Sequence, residues 1–369
     1  MAVYLDHAAT TPMRNEVLAA YVAALAIVGN PSSIHSFGQQ AKGMLESARE
    51  TVAAALGVDP IQVTFTSGGT ESINLAIKGL FWSRAPRNRI LATRAEHHAT
   101  IDALEWLERH EGAVIDWIPV DALGRIDLAA LEAAMGDDVA LVTTLLANNE
   151  VGTVQPVAEV VRIAGDVPVH VDAVGALGQV PLPAGLAAVS ISAHKLGGPV
   201  GVGALALARG SVVTPLIHGG NQQPYRSGTQ DVAGAVALAT ALTLPHPDVA
   251  ALRDRLVAGV LAAVPDAVLR GDPVDRLSSN AHFTFPGCEG DSLLFLLDAA
   301  GISASTGSAC QAGVPEASHV LLAMGLDEPT ARGALRFTLG HGSTDADVDA
   351  LLAALPPAVE RARAAGLSG

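Results

Sequence analysis

From about residue 40 to 210 the chain alternates short apolar runs with longer segments whose apolar positions recur at helical spacing. The short runs are continuous rather than alternating and rich in Val, Ile, Leu and Ala, as in strands buried on both faces. They predict strands over 62–66, 89–93, 114–120, 139–144, 167–171 and 188–192, with one more over 202–208. Helical spacing predicts helices over 39–56, 71–82, 99–109, 128–135 and 157–164. This rhythm implies an α/β domain with a mostly parallel sheet covered by helices on both faces.

Past residue 210 the alternation loosens. A helical stretch over 231–264, interrupted by Pro245 and Pro247, predicts the connection to a second, smaller domain. There, strands are expected near 281–285 and 335–338 and helices near 291–300, 319–324 and 345–365, an α+β pattern. The first dozen residues are expected to pack with it or to cross the boundary. The expected division is a large domain over 14–250 and a small domain of 1–13 plus 251–369. The apolar run Val17 to Val28 is too short for a bilayer and predicts a core-facing helix.

Composition narrows the classes. A net charge of −15 without basic clusters argues against a nucleic-acid surface, and half the 369 residues are hydrophobic, as in a well-buried globular protein. Two cysteines, Cys288 and Cys310, cannot build a disulfide framework and fit a reducing compartment. Asp6, Arg14 and Glu16 precede any apolar stretch, which excludes a signal peptide. A soluble, cytoplasmic protein is expected.

The most informative residue is Lys195, in Val-Ser-Ile-Ser-Ala-His-Lys-Leu-Gly-Gly-Pro at 189–199. A lysine at the end of a core strand either snorkels to water or is used covalently, and burial lowers its pKa toward a nucleophilic neutral amine. Upstream, Thr66-Ser67-Gly68-Gly69-Thr70-Glu71-Ser72 joins a strand to a helix, where backbone N–H groups can converge on an anion. It lacks the Gly-Lys-Ser/Thr ending of a nucleotide P-loop, and a plain capped helix start would read the same. Asp172 ends a strand, where open α/β sheets place ligands, and could pair with a protonated pyridine nitrogen or cap the next segment. Asp172 and Lys195 on neighbouring strand ends, with a phosphate turn upstream, fit pyridoxal phosphate better than other common cofactors.

His97 and His98 follow the strand at 89–93. One imidazole could stack on a flat ring and move protons, while adjacent helical histidines diverge too far to share a metal. Cys310 lies among small residues and glycines over 303–313, a loop composition suited to a thiol that moves between partners. Cys288 lacks that setting and reads as an inert small residue. Arg336, between apolar neighbours, needs an anion, either a substrate carboxylate or an internal salt bridge.

In this order the motifs closely resemble the cysteine desulfurases of the class V aminotransferases. The resemblance runs from Tyr4-Leu5-Asp6-His7-Ala8-Ala9-Thr10-Thr11-Pro12 and Gly29-Asn30-Pro31-Ser32-Ser33 through the 66–72 turn and Asn148-Asn149-Glu150-Val151-Gly152. It continues with Ser192-Ala193-His194-Lys195 and Arg226-Ser227-Gly228-Thr229 to the Cys310 loop. The stretch from Cys310 to Leu322 resembles the long-loop group that serves iron–sulfur cluster assembly. The resemblance implies the aspartate aminotransferase-like fold of pyridoxal-phosphate transferases and a homodimer. It implies that Lys195 carries the cofactor as a Schiff base and moves protons, that His97 stacks and acts as acid/base, and that Asp172 holds the pyridine nitrogen. Gly69, Thr70, Ser192 and His194 would bind the phosphate, with Thr229 reaching over from a second subunit. Asn149, which lies against the cofactor, would hold the substrate with Arg336 and Asn30. Cys310 would take sulfur from L-cysteine as a persulfide, leaving L-alanine, and pass it to a cluster scaffold, a tRNA-thiolation protein or a dedicated biosynthetic partner.

One departure stands out. Where such enzymes usually have a glutamine on the cofactor's phenolic oxygen, this chain has Gly175; a water could take that place, and the cofactor's proton affinity should shift. The segment from His218 to Tyr225 also lacks an acidic residue common there. Competing readings are a lyase for selenocysteine or cysteine sulfinate, which can work without a cysteine nucleophile, and a non-catalytic scaffold, which the intact set of site residues argues against.

Overall fold

The structure, a computed structural model, describes residues 2–307 and 317–366. The chain enters through a two-residue strand, β1 (Val3–Tyr4), and helices α1 (Asn15–Leu25) and α2 (Ser36–Leu56). Six strands follow with helices between the first five: β2 (Val63–Thr66), α3 (Gly69–Ser83), β3 (Arg89–Thr93), α4 (His98–Glu111), β4 (Val114–Ile118), α5 (Leu128–Ala134), β5 (Val139–Leu145), α6 (Val157–Ala164), β6 (Val169–Asp172) and β7 (Ala188–Ser192). Strand β8 (Gly203–Leu207) completes a seven-stranded sheet in the order β2-β8-β7-β6-β5-β3-β4. Strand β8 runs antiparallel to both neighbours, and the other pairings are parallel.

Successive side chains of each strand face opposite layers, so a continuous apolar run serves two cores. Val142, Val171, Val189 and Ile191 pack under α2 and α6, against Leu45, Val52 and Val160. Leu141, Ala188 and Leu205 face α3 and α4, against Ile73, Ile77, Leu80 and Leu104. With β8 alone reversed, Thr66, Thr93, Leu145, Asp172 and Ser192 all end at one edge, where α/β sheets collect ligands.

The expected helix over 231–264 is two helices, α7 (Val232–Thr243) and α8 (Ala250–Ala263). Pro245 and Pro247 lie between them; a proline has no N–H to give and forces the preceding residue out of helical geometry. Helix α7 packs on the first layer through Ala235 and Leu238. Helix α8 belongs to a second core, with β9 (Val268–Arg270), β10 (Asn280–Thr284), α9 (Gly290–Ala299), β11 (Ile302–Ser303), β12 (Ala334–Thr338) and α12 (Asp345–Gly366). Helices α10 (His319–Ala323) and α11 (Glu328–Arg332) pack in a smaller cluster with Ala95 and Val151. A three-stranded antiparallel sheet, β12-β10-β9, places Phe283, Phe285 and Phe337 in this core. The N-terminus joins it: β1 pairs with β11 in parallel, and Val3 and Leu5 are buried there.

The core-facing expectation for 17–28 is corrected. Only Val17 and Ala24 of α1 are buried, while Leu18, Val22 and Leu25 and the following Val28 are exposed. Helix α1 rests on α7 through Val17, Ala237 and Ala241, so one neighbour covers one side and its apolar outer face stays open in the single chain. Among the described residues no helix is long and apolar enough to cross a membrane.

Candidate active site

Strand β7 ends at Ser192 and the chain turns through Ala193–Lys195. Gly197 forces the turn: its φ is +78°, and a side chain there would strike Arg14. The turn sends the Lys195 ammonium back over the sheet edge, where Nζ donates to the carbonyls of Ala8 and Ala9. Burial and the nearby Arg336 charge lower its pKa from 10.5 to about 8, with Asp172 and Asp6 pulling the other way. That shift is worth about 3 kcal/mol in favour of the neutral amine. A lysine with those properties is ready to act as a nucleophile, not a snorkelling one.

Asp172, at the end of β6 and 3% exposed, is the counterpart. One carboxylate oxygen accepts the Val174 N–H at 2.9 Å, so the capping role considered for it is real and occupies that oxygen. Burial raises its pKa to about 6, against the pull of the Val174 hydrogen bond and the Lys195 charge. A buried carboxylate of this kind is stabilised by a cation supplied at its other oxygen. Sequence reasoning missed the acid beside it, Glu96. Its Oε1 accepts from the Thr93 hydroxyl at 3.0 Å, while Oε2 is buried without a hydrogen-bond partner among the described residues. Burial, and then the Asp172 charge, push its pKa up to about 8, so Glu96 keeps a proton while Asp172 carries the charge. The only available signal was its position at a strand–helix junction directly before His97.

The glycine turn is shaped as a cradle. Gly68 has φ +144°, and a Cβ on Gly69 would come within 2.7 Å of Val174, so only glycine fits. Thr66 and Ser72 share a 2.7 Å hydroxyl contact beneath it. Glu71 accepts the Ser67 N–H at 2.7 Å and Arg226 Nε at 3.0 Å, which ties the 226–229 motif to the turn. Thr70 and His194 line the cavity, and Ser192 is buried behind Gly69. The His194 ring lies 3.3 Å from the Thr10 hydroxyl, and burial and then Lys195 lower its pKa to about 4.

His97 caps α4 by accepting the Ala99 N–H on Nδ1 at 3.1 Å, which leaves the proton of a neutral ring on Nε2. Burial, then the charges of Lys195 and His98, lower its pKa to about 4, so the ring is neutral near pH 7. His98 diverges, as helical neighbours must, and its ring meets that of His319 at 4.6 Å.

The opposite wall comes from both chain ends. Arg336 of β12 is buried, and its guanidinium donates to Asp6 at 3.0 Å and to the Asn149 carbonyl at 2.9 Å. Of the two anions expected for Arg336, the internal salt bridge is present, to Asp6. Arg336 Nε remains buried without a partner among the described residues, and the residue lines the cavity. Asn149, Ser305 and Gly307 complete that wall. Asn30 is exposed, its side chain accepting the Ser32 N–H and its carbonyl the Ser33 N–H of its own turn, and Thr229 is exposed; neither lines the cavity of its own chain. Cys310 lies outside the described residues, nine-residue segment 308–316 beginning directly after Gly307. Cys288 is buried 3.8 Å from the Val359 carbonyl, with its pKa raised by burial, in keeping with an inert role.

These groups enclose a cavity of about 400 Å³. A second one of about 310 Å³ adjoins it across Gly175, where an added Cβ would meet only Asn149, at 3.6 Å. The residues fit pyridoxal phosphate: a neutral-prone Lys195 for its aldehyde, a buried Asp172 carboxylate for its ring nitrogen, and the α3 N-terminus for its phosphate. When bound, that cofactor supplies an electron sink for charge developing at the substrate α-carbon.

The class-V aminotransferase profile matches residues 3–351. An "IscS-like cysteine desulfurase" of Mycobacterium tuberculosis is 53% identical, over 99% of this chain and 98% of that one. A solved "NifS-like protein" superposes with a TM-score of 0.90 at 35% identity, covering 98% of this chain and all of the other. A second solved structure, "SspA in complex with cysteine", gives a TM-score of 0.82 at 31% identity over 92% of this chain and 99% of that one. The chain therefore belongs to the class-V aminotransferases, pyridoxal-phosphate enzymes, within their cysteine desulfurase branch.

Proposed function

We propose that this enzyme converts L-cysteine to L-alanine and carries the released sulfur as a persulfide on Cys310. One observation supports the reading above others. Lys195, Asp172, His97 and Arg336 share one cavity, and Ser305 and Gly307 bring the start of the Cys310 segment to its wall. The Arg336 guanidinium and Asn149 hold the substrate carboxylate. The substrate thiol gives its sulfur to the Cys310 thiolate; the C–S bond breaks, the S–S bond forms, and the electron pair left on carbon is protonated to give alanine. Neutral His97, with its proton on Nε2, and Lys195 move the protons. Gly69, Thr70, Ser192 and His194 hold the phosphate.

The persulfide passes to a protein acceptor in iron–sulfur cluster assembly or tRNA thiolation, in the cytoplasm. The working form is a homodimer. Thr229 and Asn30 are exposed and away from their own cavity, which suits residues completing a partner's site, and the open apolar face of α1 favours association. The assignment of 14–250 to a large domain and of 1–13 plus 251–369 to a small one is kept as part of this reading. A selenocysteine or cysteine sulfinate lyase would not need Cys310. Purified protein should be yellow and release alanine from cysteine, and the persulfide should vanish in Cys310→Ala. Full cysteine turnover by that variant would remove the proposed nucleophile.

A further inference from the structure

The turn Asn148–Gly152 follows β5 of the seven-stranded sheet and brings Asn149 to the cavity wall. Four successive carbonyls of this turn each accept a hydrogen bond from the small sheet or from the connection between its strands β9 and β10. Asn149 accepts from Arg336 Nη1 at 2.9 Å, and Glu150 from the Asn280 side-chain amide at 2.9 Å. Val151 accepts from Arg276 Nη2 at 3.1 Å, and Gly152 from the Leu277 N–H at 2.8 Å. The N–H groups of Glu150 and Val151 point the other way, both donating to Asn148 Oδ1 at 2.9 Å. Glu150 and Val151 are buried, so water does not compete for these groups. Gly152 has φ +84°, and a Cβ there would come within 2.8 Å of Asn280, so the close approach requires glycine.

Arg276 is the centre of this grip. It lies in the connection between β9 and β10, is buried, and does not line the cavity that holds Asn149 and Arg336. Its Nε donates to the Asn280 carbonyl and its Nη1 to the Asp272 carbonyl, both at 3.2 Å, while Nη2 reaches across to Val151. The same Nη2 lies 3.4 Å from Asn280 Oδ1, on the amide whose nitrogen holds Glu150. The neighbouring carboxylates of Asp272 and Asp275 turn to Arg125 instead. A buried guanidinium bonded to neutral oxygens carries a desolvation cost that no close ion pair offsets. Its planar fork, however, fixes several directions at once, which an ammonium cannot do. Arg276 thus holds Val151 directly and Glu150 through Asn280. Those are the two residues next after Asn149, whose carbonyl anchors Arg336.

We propose that Arg276 is a positioning residue for substrate recognition, holding the Asn148–Gly152 turn so that Asn149 and Arg336 stand where a substrate carboxylate binds. This rests on the reading of Asn149 and Arg336 as the carboxylate site. The test uses holoenzyme and two ligands, L-cysteine and cysteamine, which has the same amine and thiol without the carboxylate. Arg276→Met keeps the aliphatic stem and removes the fork. It should raise the KM for cysteine about tenfold and leave kcat within about twofold, as expected when binding common to ground and transition states is lost. The cysteamine concentration that half-changes the cofactor absorbance should stay at its wild-type value. Arg336→Ala should show the same selectivity, and adding Arg276→Met to it should raise the KM by less than Arg276→Met does alone. Arg276→Lys keeps the charge but not the fork; it should raise the KM selectively too, and it carries the comparison if Arg276→Met yields no holoenzyme. A wild-type KM in these Arg276 variants would overturn the proposal. Equal weakening toward cysteine and cysteamine would also overturn it, because a general loosening of the cavity gives that result. If Arg336→Ala does not distinguish the two ligands, the carboxylate reading falls, and this proposal with it.

Discussion

The Lys195 wall and the Arg336 wall of the cavity face each other across the same space but are assembled differently. Lys195, Asp172, His97 and the glycine turn each follow a strand of one sheet. Asp172 and His97 are held by contacts within a few residues, Val174 and Ala99, while Lys195 also reaches the Ala8 and Ala9 carbonyls and the turn is tied to Arg226. Arg336 instead meets Asp6, 330 positions away in sequence, and the carbonyl of Asn149, 187 away. The backbone of the first wall is set by the sheet edge, with the N-terminal segment adding the Ala8, Ala9 and Thr10 contacts; the second exists only once both chain ends have docked. A rigid cradle suits a resident cofactor, and a wall made by docking suits a substrate that must enter and leave.

Substitutions can break this contrast. The largest effect is expected from Lys195→Ala, which should lower alanine release by on the order of 10³-fold or more and change the cofactor's absorbance spectrum. Arg336→Ala should leave the spectrum intact and raise the KM for cysteine by about 10–100-fold. Loss of cofactor from that variant would show that the walls are not separate. Asp6→Asn should do less, because the Asn149 carbonyl still holds Arg336. Steady-state kinetics with absorbance spectra check all three.

A pH effect probes the cradle. In the native protein Glu96 keeps its proton up to about pH 8, far above the carboxylate range of the unfolded chain. Its contribution to stability is therefore complete below pH 4.5 and is lost as pH rises toward 8. Glu96→Gln should flatten that decline, so that its melting temperature relative to wild type improves from pH 5.5 to pH 8.5, about the range this titration spans. Identical slopes for the two proteins would remove the buried-proton account. The smallest effect is expected from Gly175→Gln. Its Cβ has room beside Asn149, so the variant should fold normally and shift only the pH midpoint of the cofactor's absorbance. Superimposable pH titrations would leave Gly175 without a tuning role.

The contrast between the walls also explains what could be read from the chain. The parallel sheet and the strand-end residues were legible because each motif is local: an apolar run, then a polar residue or glycine where the run stops. The same local reading misjudged α1, whose apolar face looked like core and is open, because apolar periodicity says that a face needs a partner but not that this chain supplies it. Arg336 was recognised as needing an anion, yet nothing in its neighbourhood pointed to Asp6. Glu96 and Glu150 were passed over for the same reason: both are acids in turns, and only tertiary contacts reveal that they are buried. Of the predicted site, Lys195, Asp172, His97, Thr70, His194, Asn149, Gly69 and Arg336 share one cavity. Ser192 backs it, and Asn30 and Thr229 stand apart from it within one chain.

The most direct test compares wild type and Cys310→Ala in a single turnover with L-cysteine, measuring alanine released and sulfur bound to the protein. The account predicts one equivalent of alanine for each sulfur atom added at Cys310 in the wild type, and loss of both in the variant with its cofactor spectrum preserved. Alanine release at the wild-type rate from Cys310→Ala would contradict it.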